Sequence, residues 1–367
     1  MEAIETLIYF GMSPSVFAVV YYAVLLIASC AATIYNQRAA FMMLFSLLLL
    51  SIIVGIVGGA TWLAMFVVIA IVIGMAAMMS FTFREFMILL VSRDMGKELR
   101  TAPLTAAFGM FVIFIYVIAG IFAPWIAPYG EAEVISSAFA PADQNMLLGA
   151  DQLGRDMFSR LIYGTRNSVG LALTATILAF ILGATLGLLA ATKGGWFDNL
   201  MGRIADVIMS IPSLIFALLM LSIFGPSMPV IIIAVAIIYA PRVFRLTRAV
   251  AGDVVVMDYI EAAKLRGEGM FYLIRREILP NSTAPLIAEF GLEFCFVFLL
   301  VAGLSFLGLG IQPPTADWGS MVRENATLIS FGEITPLIPA AAIALLTVGV
   351  NFVVDWMLHR SSGLKEQ

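Results

Sequence analysis

Histidine and cysteine are almost absent from this sequence. Its 367 residues contain one histidine, His359, and two cysteines, Cys30 and Cys295, each inside an apolar run. This scarcity excludes a His/Cys metal site, and we expect both thiols to be small buried side chains. No G-x-x-x-x-G-K-[ST] run occurs, so the chain has no nucleotide-binding P-loop of its own. No nucleophile–base arrangement stands out, and no catalytic residue is predicted.

Charge is also scarce. Charged residues make up 12% of the chain, hydrophobic residues make up 62%, and the mean hydropathy is +1.04. A soluble domain carries roughly 25% charge, so the composition predicts a polytopic protein of the lipid bilayer. The apolar runs are continuous over about 20 residues and do not alternate, which favours an all-α helical bundle over a β-barrel. Nothing in the net charge of −4 indicates a nucleic-acid partner.

The apolar runs predict nine membrane spans. They cover 16–35, 39–59, 61–80, 104–127, 168–191, 204–224, 228–246, 283–309 and 336–357. Lysine and arginine are enriched on the cytoplasmic side of membrane proteins. With 81–103 and 242–281 placed in the cytoplasm, all of the twenty Lys and Arg residues lie inside except Arg155, Arg160, Arg166 and Arg323. This orientation puts the N-terminus outside and the C-terminus in the cytoplasm.

One polar stretch stands out among the apolar runs, the charged loop of residues 255–281. Its charge density excludes it from hydrocarbon, so it must lie in water between two spans. Its residues favour two short helices separated at Gly267 and Gly269, and Pro280 is expected to stop the second helix. The pattern predicts an L-shaped knob.

Four runs of the sequence resemble ABC-importer permeases of the dipeptide/oligopeptide/nickel family, on the OppC/DppC-like branch. Within the charged loop, Glu261-Ala262-Ala263, then Gly267 and a final Leu279-Pro280 resemble the cytoplasmic EAA motif. The other runs are LGADQLGRDMFSRLIYGTRNSVGLAL (148–173), RIADVIMSIPSLIFAL (203–218) and LSFLGLGIQPPTADWGSM (304–321). The similarity covers about residues 100–360, in the expected order and spacing.

The resemblance implies a type I ABC importer permease core of six spans, residues 101–367, in the cytoplasmic membrane of a prokaryote. Residues 1–100, with about three spans, would be an accessory region for packing or assembly. The implied partners are two ATP-binding subunits, a second homologous permease and an extracytoplasmic substrate-binding protein. ATP and Mg²⁺ would be held by the partner subunits, so this chain binds no cofactor and is not an enzyme by itself. The implied substrates are di- or oligopeptides, or nickel and related small solutes.

The resemblance also implies roles for single residues of the charged loop. Residues implied to couple the chain to the ATP-binding subunit are Glu261, Ala262, Ala263, Gly267, Glu277, Leu279 and Pro280. Glu261 would face that subunit, the alanines would allow close approach, and Gly267 would make the turn. The sequence departs from the family pattern twice. Glu277 stands where the family commonly has histidine, and Val301 stands where relatives often place an acidic residue.

Three acidic residues are candidates for intramembrane polar positions. Glu289 and Glu293 lie on one helix face, where an acid is expected to face a cavity or a partner. Contact with a transported amine and pairing with an arginine or a backbone donor both remain open. For Asp206, six residues before Pro212, a cap or kink of the helix is favoured over substrate contact. An ion-coupled secondary transporter or a membrane-embedded enzyme using Glu289 and Glu293 is the alternative function.

Two outer segments, 128–167 and 310–335, are expected to meet the binding protein. The candidate contact residues are Asp151, Arg155, Asp156, Asp317 and Trp318. Gly183 and Gly187 form a small-xxx-small pair within one span, which predicts close packing against another helix.

Overall fold

The structure is a computed structural model that describes residues 61–331 and 335–361, with four isolated positions before residue 61. The predicted spans 16–35 and 39–59 lie outside the described residues. The chain divides into two compact units, Met1–Met79 and Ser80–Gln367. All candidate site residues belong to the second unit.

The predicted all-α architecture is confirmed across the described residues, where the only extended pairings are isolated bridges. The helices are α1 (Thr61–Leu90), α2 (Arg93–Thr101), α3 (Leu104–Ile121), α4 (Ala123–Ile126), α5 (Met157–Gly164), α6 (Gly170–Lys193), α7 (Gly195–Met209), α8 (Ser213–Phe224), α9 (Met228–Val255), α10 (Asp258–Leu265), α11 (Met270–Tyr272), α12 (Leu279–Phe306), α13 (Trp318–Asn325) and α14 (Leu337–Ser361). Two π-helical stretches, Thr165–Val169 and Leu273–Ile278, make α5–α6 and α11–α12 continuous, and a 3₁₀ helix, Ala326–Phe331, follows α13.

Six helical stretches among the described residues are long and apolar enough to cross a membrane. They are Val72–Leu90, Leu104–Ile121, Met157–Lys193, Met228–Val255, Met270–Phe306 and Leu337–Arg360. Several of these helices extend beyond the ends predicted for their spans, as α1 does to Leu90 and α9 does to Val255. Charged side chains such as Arg84 and Glu85, which are 3.2 Å apart, do not end a helix, because arginine and glutamate are favourable helix residues.

The predicted span 204–224 is not one straight helix. Helices α7 and α8 meet at an angle of 86° across Ser210–Pro212. Proline has no backbone N–H and disfavours helical backbone in the preceding residue, here Ile211, so Pro212 causes the break. The expectation that this region kinks is confirmed, whereas its prediction as a continuous span is corrected.

Helices α6 and α9 pack most closely along the predicted glycine pair. A Cβ atom on Gly183 would lie 2.5 Å from the Ala240 carbonyl oxygen, and one on Gly187 would lie 2.8 Å from Thr247 Cβ. In lipid, helices associate mainly through such close packing, since lipid tails are as apolar as the side chains. The glycines therefore set the contact distance of this helix pair.

Helix α12 runs through the centre of the bundle and packs against α6, α9, α13 and α14. Its residues Val297, Phe298, Val301 and Leu304 are fully buried in the main core. An acidic side chain at position 301 would be buried there among apolar groups at a large desolvation cost. The valine found at this departure from the family pattern therefore suits its surroundings.

Candidate functional site

The charged loop folds as the sequence predicts up to its glycine turn. Helix α10 ends at Leu265, and Gly267 adopts a φ of +83°. The Gly267 N–H donates to the Lys264 carbonyl at 2.9 Å, and the Glu268 N–H donates to the Ala263 carbonyl at 3.2 Å. This pair of bonds is the Schellman arrangement, which requires left-handed backbone at the residue after the cap. A Cβ atom at this position would meet no neighbouring atom, so lack of space is not the reason for glycine here. Glycine is needed because the backbone is left-handed.

One face of α10 is attached to the bundle. Ile260 and Ala263 are fully buried, in a cluster with Leu188 of α6, Val254 of α9 and Ile278 before α12. Residues three apart share a helix face, so the two positions between them, Glu261 and Ala262, point away and are exposed. Ala263 is thus corrected from a residue at a partner surface to an internal packing residue.

The exposed side of the charged loop is unusually apolar. Its exposed large hydrophobic side chains are Val256, Met257, Tyr259, Leu265, Met270, Phe271, Tyr272 and Leu279, with Leu265 and Phe271 exposed by 84% and 74%. Apolar groups clustered on a polar knob are typical of a protein interaction site. The knob therefore has both a rigid attachment and a surface suited to a partner.

Pro280 does not stop the second helix of the loop, which corrects the prediction. The chain stays helical from Met270 to Phe306, and Pro280 lies in the first turn of α12, directly after the π-helical stretch. Proline removes one i→i−4 hydrogen bond inside a helix, and here it directly follows a stretch whose π-helical bonding already departs from that pattern. Leu279 and Pro280 are exposed, whereas Glu277 is half-buried.

A charge pair lies halfway along two spans. Glu293 of α12 is 1% exposed, and its Oε1 is 3.0 Å from Nε of Arg242 in α9. Neither carboxylate oxygen of Glu293 receives an aligned hydrogen bond from the described residues. Glu289, one turn earlier, is half-buried. Of the two possibilities left open for this acid, the structure contains the pairing with an arginine of a neighbouring helix.

Aromatic rings hold the Arg242 side chain. Its guanidinium carbon is 4.5 Å from the ring centre of Phe296 and 5.9 Å from that of Tyr239. The Tyr239 hydroxyl donates to the Phe296 carbonyl at 3.1 Å, which connects α9 and α12 beside the ion pair. Stacked and paired in this way, the guanidinium is fixed in position although its side chain is 40% exposed.

The exposed part of Arg242 faces a cavity of about 330 Å³ at the break between α7 and α8. Met209, Pro212, Phe216, Ile238 and Tyr239 contribute to its wall. Asp206, earlier in α7, is exposed and lies 3.9 Å from Arg245, so its side chain pairs across to α9 and caps no helix. The broken span thus creates an opening beside a fixed positive charge.

The outer segments are held together by a buried ionic cluster at the opposite end of α12 from the charged loop. Asp151 accepts from Arg155 at 2.7 Å and lies 3.2 Å from Arg160. Glu324 lies 3.3 Å from Arg155 and 3.5 Å from Arg160. Two carboxylates and two guanidinium groups therefore balance in charge and connect segment 128–167 to α13.

Two helix caps complete this cluster. Asp156 accepts from the Ser159 N–H at 2.8 Å and begins α5, and Asp317 accepts from the Ser320 N–H at 2.9 Å and begins α13. The Trp318 indole N–H donates to the Leu161 carbonyl at 2.9 Å. Aspartate is a preferred cap because its oxygen satisfies a free backbone N–H of the first turn.

The five side chains predicted to contact a binding protein are therefore corrected to internal positions. Asp151, Arg155, Asp156, Asp317 and Trp318 are each at most 2% exposed. Charged side chains in an outer segment are normally solvated, but here each carboxylate meets an arginine or a helix N-terminus. These residues set the shape of the outer surface and do not themselves form it.

Residues 183–362 match the family described as "Binding-protein-dependent transport system inner membrane component". The di/tripeptide transport system permease protein DppC of Pseudomonas aeruginosa (strain UCBPP-PA14) is 36% identical over 254 residues, which cover 67% of this chain and 84% of that protein. The chain belongs to this permease family. The dipeptide transport system permease protein DppC of Alkalihalophilus pseudofirmus is also 36% identical, over 265 residues that cover 72% of the permease and 86% of that relative.

A solved structure of the methionine ABC transporter MetNI in an inward-facing conformation is more distantly similar. It is 17% identical, with a TM-score of 0.46, and the match covers 56% of the permease and 97% of that chain. The family assignment rests on the sequence relatives. They confirm an ABC importer permease subunit of the inner membrane, with ATPase, permease and binding-protein partners, that is not itself an enzyme. They do not support the alternative of an ion-coupled carrier or membrane enzyme.

Sequence reasoning missed the partners in both charge clusters of the permease. Arg242 was counted in the cytoplasmic stretch 242–281, although it follows an apolar run and lies within α9. Arg160 and Glu324 were placed in outer segments without a role. A pair separated by 50 or more positions leaves no local pattern, but the spacing of Asp151, Arg155 and Arg160 along a short segment was a usable signal.

Proposed function

We propose that the permease translocates di- or oligopeptides across the cytoplasmic membrane of a prokaryote. It would act beside a second homologous permease, with two ATP-binding subunits that hold ATP and Mg²⁺ and an extracytoplasmic substrate-binding protein. Support for peptides comes from the relatives, which are named as di/tripeptide and dipeptide permeases. The names of these relatives concern peptides and not nickel.

The observation that carries the coupling proposal is the construction of the charged loop. Its outward side exposes Glu261, Ala262 and apolar side chains such as Phe271, while Ile260 and Ala263 attach it to the ends of three spans. We propose that an ATP-binding subunit binds this outward side. Closure of the ATP-binding subunits would then move α10 and, through its buried face, α6, α9 and α12. Access to the cavity would change sides as these spans move.

The coupling proposal also predicts how the chain is oriented in the membrane. The charged loop would lie in the cytoplasm, so the N-terminus would be outside and the C-terminus inside, as the excess of Lys and Arg on that side favours. The outer segments would then face the binding protein. We propose that the docking surface consists of exposed apolar side chains around the ionic cluster, among them Val134, Leu147 and Leu153.

Co-purification and a turn variant test the proposal together. We expect the tagged permease to bring down ATP-binding subunits, and we expect Gly267→Pro to abolish ATP-driven uptake because proline cannot adopt a positive φ. Gly202→Ala is a suitable control, since Gly202 lies in α7, outside the loop, and has open space around it. The coupling role would be contradicted if no ATP-binding subunit were present in the purified complex and Gly267→Pro kept full uptake.

A further inference from the structure

A groove of about 300 Å³ lies between α1, α2 and α3, within the unit Ser80–Gln367. Apolar side chains form most of its wall, among them Met87 of α1, Leu99 of α2, and Phe114 and Val117 of α3. Phe114 and Val117 are also exposed, so the groove opens on the outside of the bundle. Arg84 is the one charged residue in the wall. The described residues therefore leave an apolar groove with one polar end.

The polar end lies where α2 meets α3. Arg84 donates to the carbonyl of Ala102, between these two helices, at 3.1 Å, and it lies 3.2 Å from Glu85, which balances its charge. From the start of α3 at Leu104 to Val117, the groove extends about 20 Å at the helical rise per residue. One leaflet of a bilayer has a hydrocarbon depth of about 15 Å. The groove is therefore long enough for one acyl chain.

Helix α2 is basic on one face beside this end of the groove. Arg93, Lys97 and Arg100 are four and three positions apart, so they share a helix face, and all three are exposed. The acids of α2, Asp94 and Glu98, occupy positions on another face, and Glu98 pairs with an arginine of α14. These six groups together have a net charge of +2. No described residue forms an ion pair with Arg93 or Arg100.

We propose that the groove binds an anionic phospholipid, with one acyl chain along α1 and α3 and the headgroup phosphate at Arg93 and Arg100. An apolar groove that ends at a basic face at the membrane surface matches the two parts of such a lipid. Arg84 closes the groove at the headgroup end, since its guanidinium is already held by protein groups. The inference goes beyond the proposed function and does not depend on the transported solute.

Photo-crosslinking of the complete transport complex in phosphatidylcholine nanodiscs tests the proposal. The probe is a small fraction of either phosphatidylglycerol or phosphatidylcholine that carries a diazirine in its acyl chain. Mass spectrometry of the peptides measures the labelling of Met87, Phe114 and Val117. We expect the phosphatidylglycerol probe to label these residues about tenfold more than the phosphatidylcholine probe, because each arginine near the headgroup favours the anionic lipid.

The basic face is tested by a double variant. Arg93→Gln/Arg100→Gln should remove the preference for phosphatidylglycerol and leave the labelling by phosphatidylcholine unchanged. Arg166→Gln/Arg203→Gln is the matched control, because it also removes two exposed arginines but neither lies on α2 or in the groove. It should keep the full preference. All four positions are exposed, so we expect both variants to assemble.

The groove itself is tested by a larger side chain. Val117→Trp should lower the labelling of Met87 and Phe114 by both probes severalfold, because the indole takes the place of the acyl chain. Ile121→Trp is the control, since Ile121 lies one turn further along α3, is exposed and does not line the groove. It should leave the labelling of both residues unchanged.

Equal labelling by the two probes in the wild-type complex would overturn the proposal, since the groove would then take any lipid. It would also be overturned if the groove residues stayed unlabelled while Ile121 outside the groove was labelled, because another occupant would then fill the groove. Retention of the preference in Arg93→Gln/Arg100→Gln would contradict the role of α2. Co-purification and uptake test the proposed function separately, and neither result depends on the groove.

Discussion

Arg160, in the outer segments, takes part in several buried interactions at once. Its side chain is 1% exposed, lies within 3.5 Å of Asp151 and Glu324, and donates to the Glu131 carbonyl at 3.0 Å. The burial of such groups is costly and is tolerated only when the charges balance. The cluster therefore stabilises one arrangement of the outer segments and penalises the loss of any member.

We predict that Arg160→Met destabilises the permease by about 3 kcal/mol or more, because it leaves two buried carboxylates with one guanidinium. Thermal unfolding of the purified complex measures the effect. The control is Arg166→Met in the same segment, where the arginine is exposed. Equal melting temperatures for Arg160→Met and Arg166→Met would show that the cluster contributes little.

A second prediction at this scale concerns the two glycines of the charged loop. Gly267→Ala should cost about 1 kcal/mol locally, because φ is +83° there, and should reduce uptake coupled to ATP hydrolysis. Gly269→Ala is the control, since Gly269 has a φ of −75° and open space around it. The ratio of solute transported to ATP hydrolysed is the measurement. A loss at Gly269 as large as that at Gly267 would contradict the role of the left-handed turn.

At the scale of elements, the break between α7 and α8 and the close contact between α6 and α9 have different causes. Pro212 breaks α7–α8 through local backbone chemistry, so the sequence could indicate a kink. The close contact between α6 and α9 depends on which helix lies opposite Gly183 and Gly187. Only the folded bundle shows that α9 approaches there so closely that a methyl group would collide.

We predict that Gly187→Ala destabilises the bundle by about 1–3 kcal/mol, because the new methyl group would lie 2.8 Å from Thr247 Cβ. Gly202→Ala on α7 has no such neighbour and should be neutral or slightly stabilising. Unfolding midpoints in detergent compare the two variants. A stable Gly187→Ala protein would mean that α6 and α9 separate easily.

At the scale of the whole molecule, unit Ser80–Gln367 contains the main core and every candidate site residue. Residues within this unit but before the predicted boundary at 101 also contact α3, as Phe83 does with Phe111 and Phe114 at ring distances of 5.4 and 5.1 Å. Residues 1–100 remain proposed as an accessory region for packing or assembly.

We predict that a chain lacking residues 1–79 still co-purifies with its partner subunits and supports uptake. A chain lacking residues 1–100 also loses the Phe83 contacts and should be less stable. Size-exclusion chromatography of the two complexes with melting curves provides the comparison. Failure of the shorter deletion to assemble would make the N-terminal region integral to the complex.

The sequence by itself determined the membrane class, the helical architecture, the glycine turn of the charged loop and the kink near Pro212. These features follow from composition, from continuous apolar runs and from backbone preferences, which act within a few neighbouring residues. The family relationship also lay in short contiguous runs. No tertiary contact was needed for any of them.

Only the tertiary structure decided which charges are paired and which surfaces are free. It places Arg242 opposite Glu293, turns Ala263 inward, and buries Asp151, Arg155, Asp156, Asp317 and Trp318. The physical reason is that the cost of a buried charge is set by its partner, and the partner is brought in by a different helix. From the sequence alone, a charged side chain is therefore expected to be solvated. The fold shows that it is buried where another helix brings a counter-ion to it.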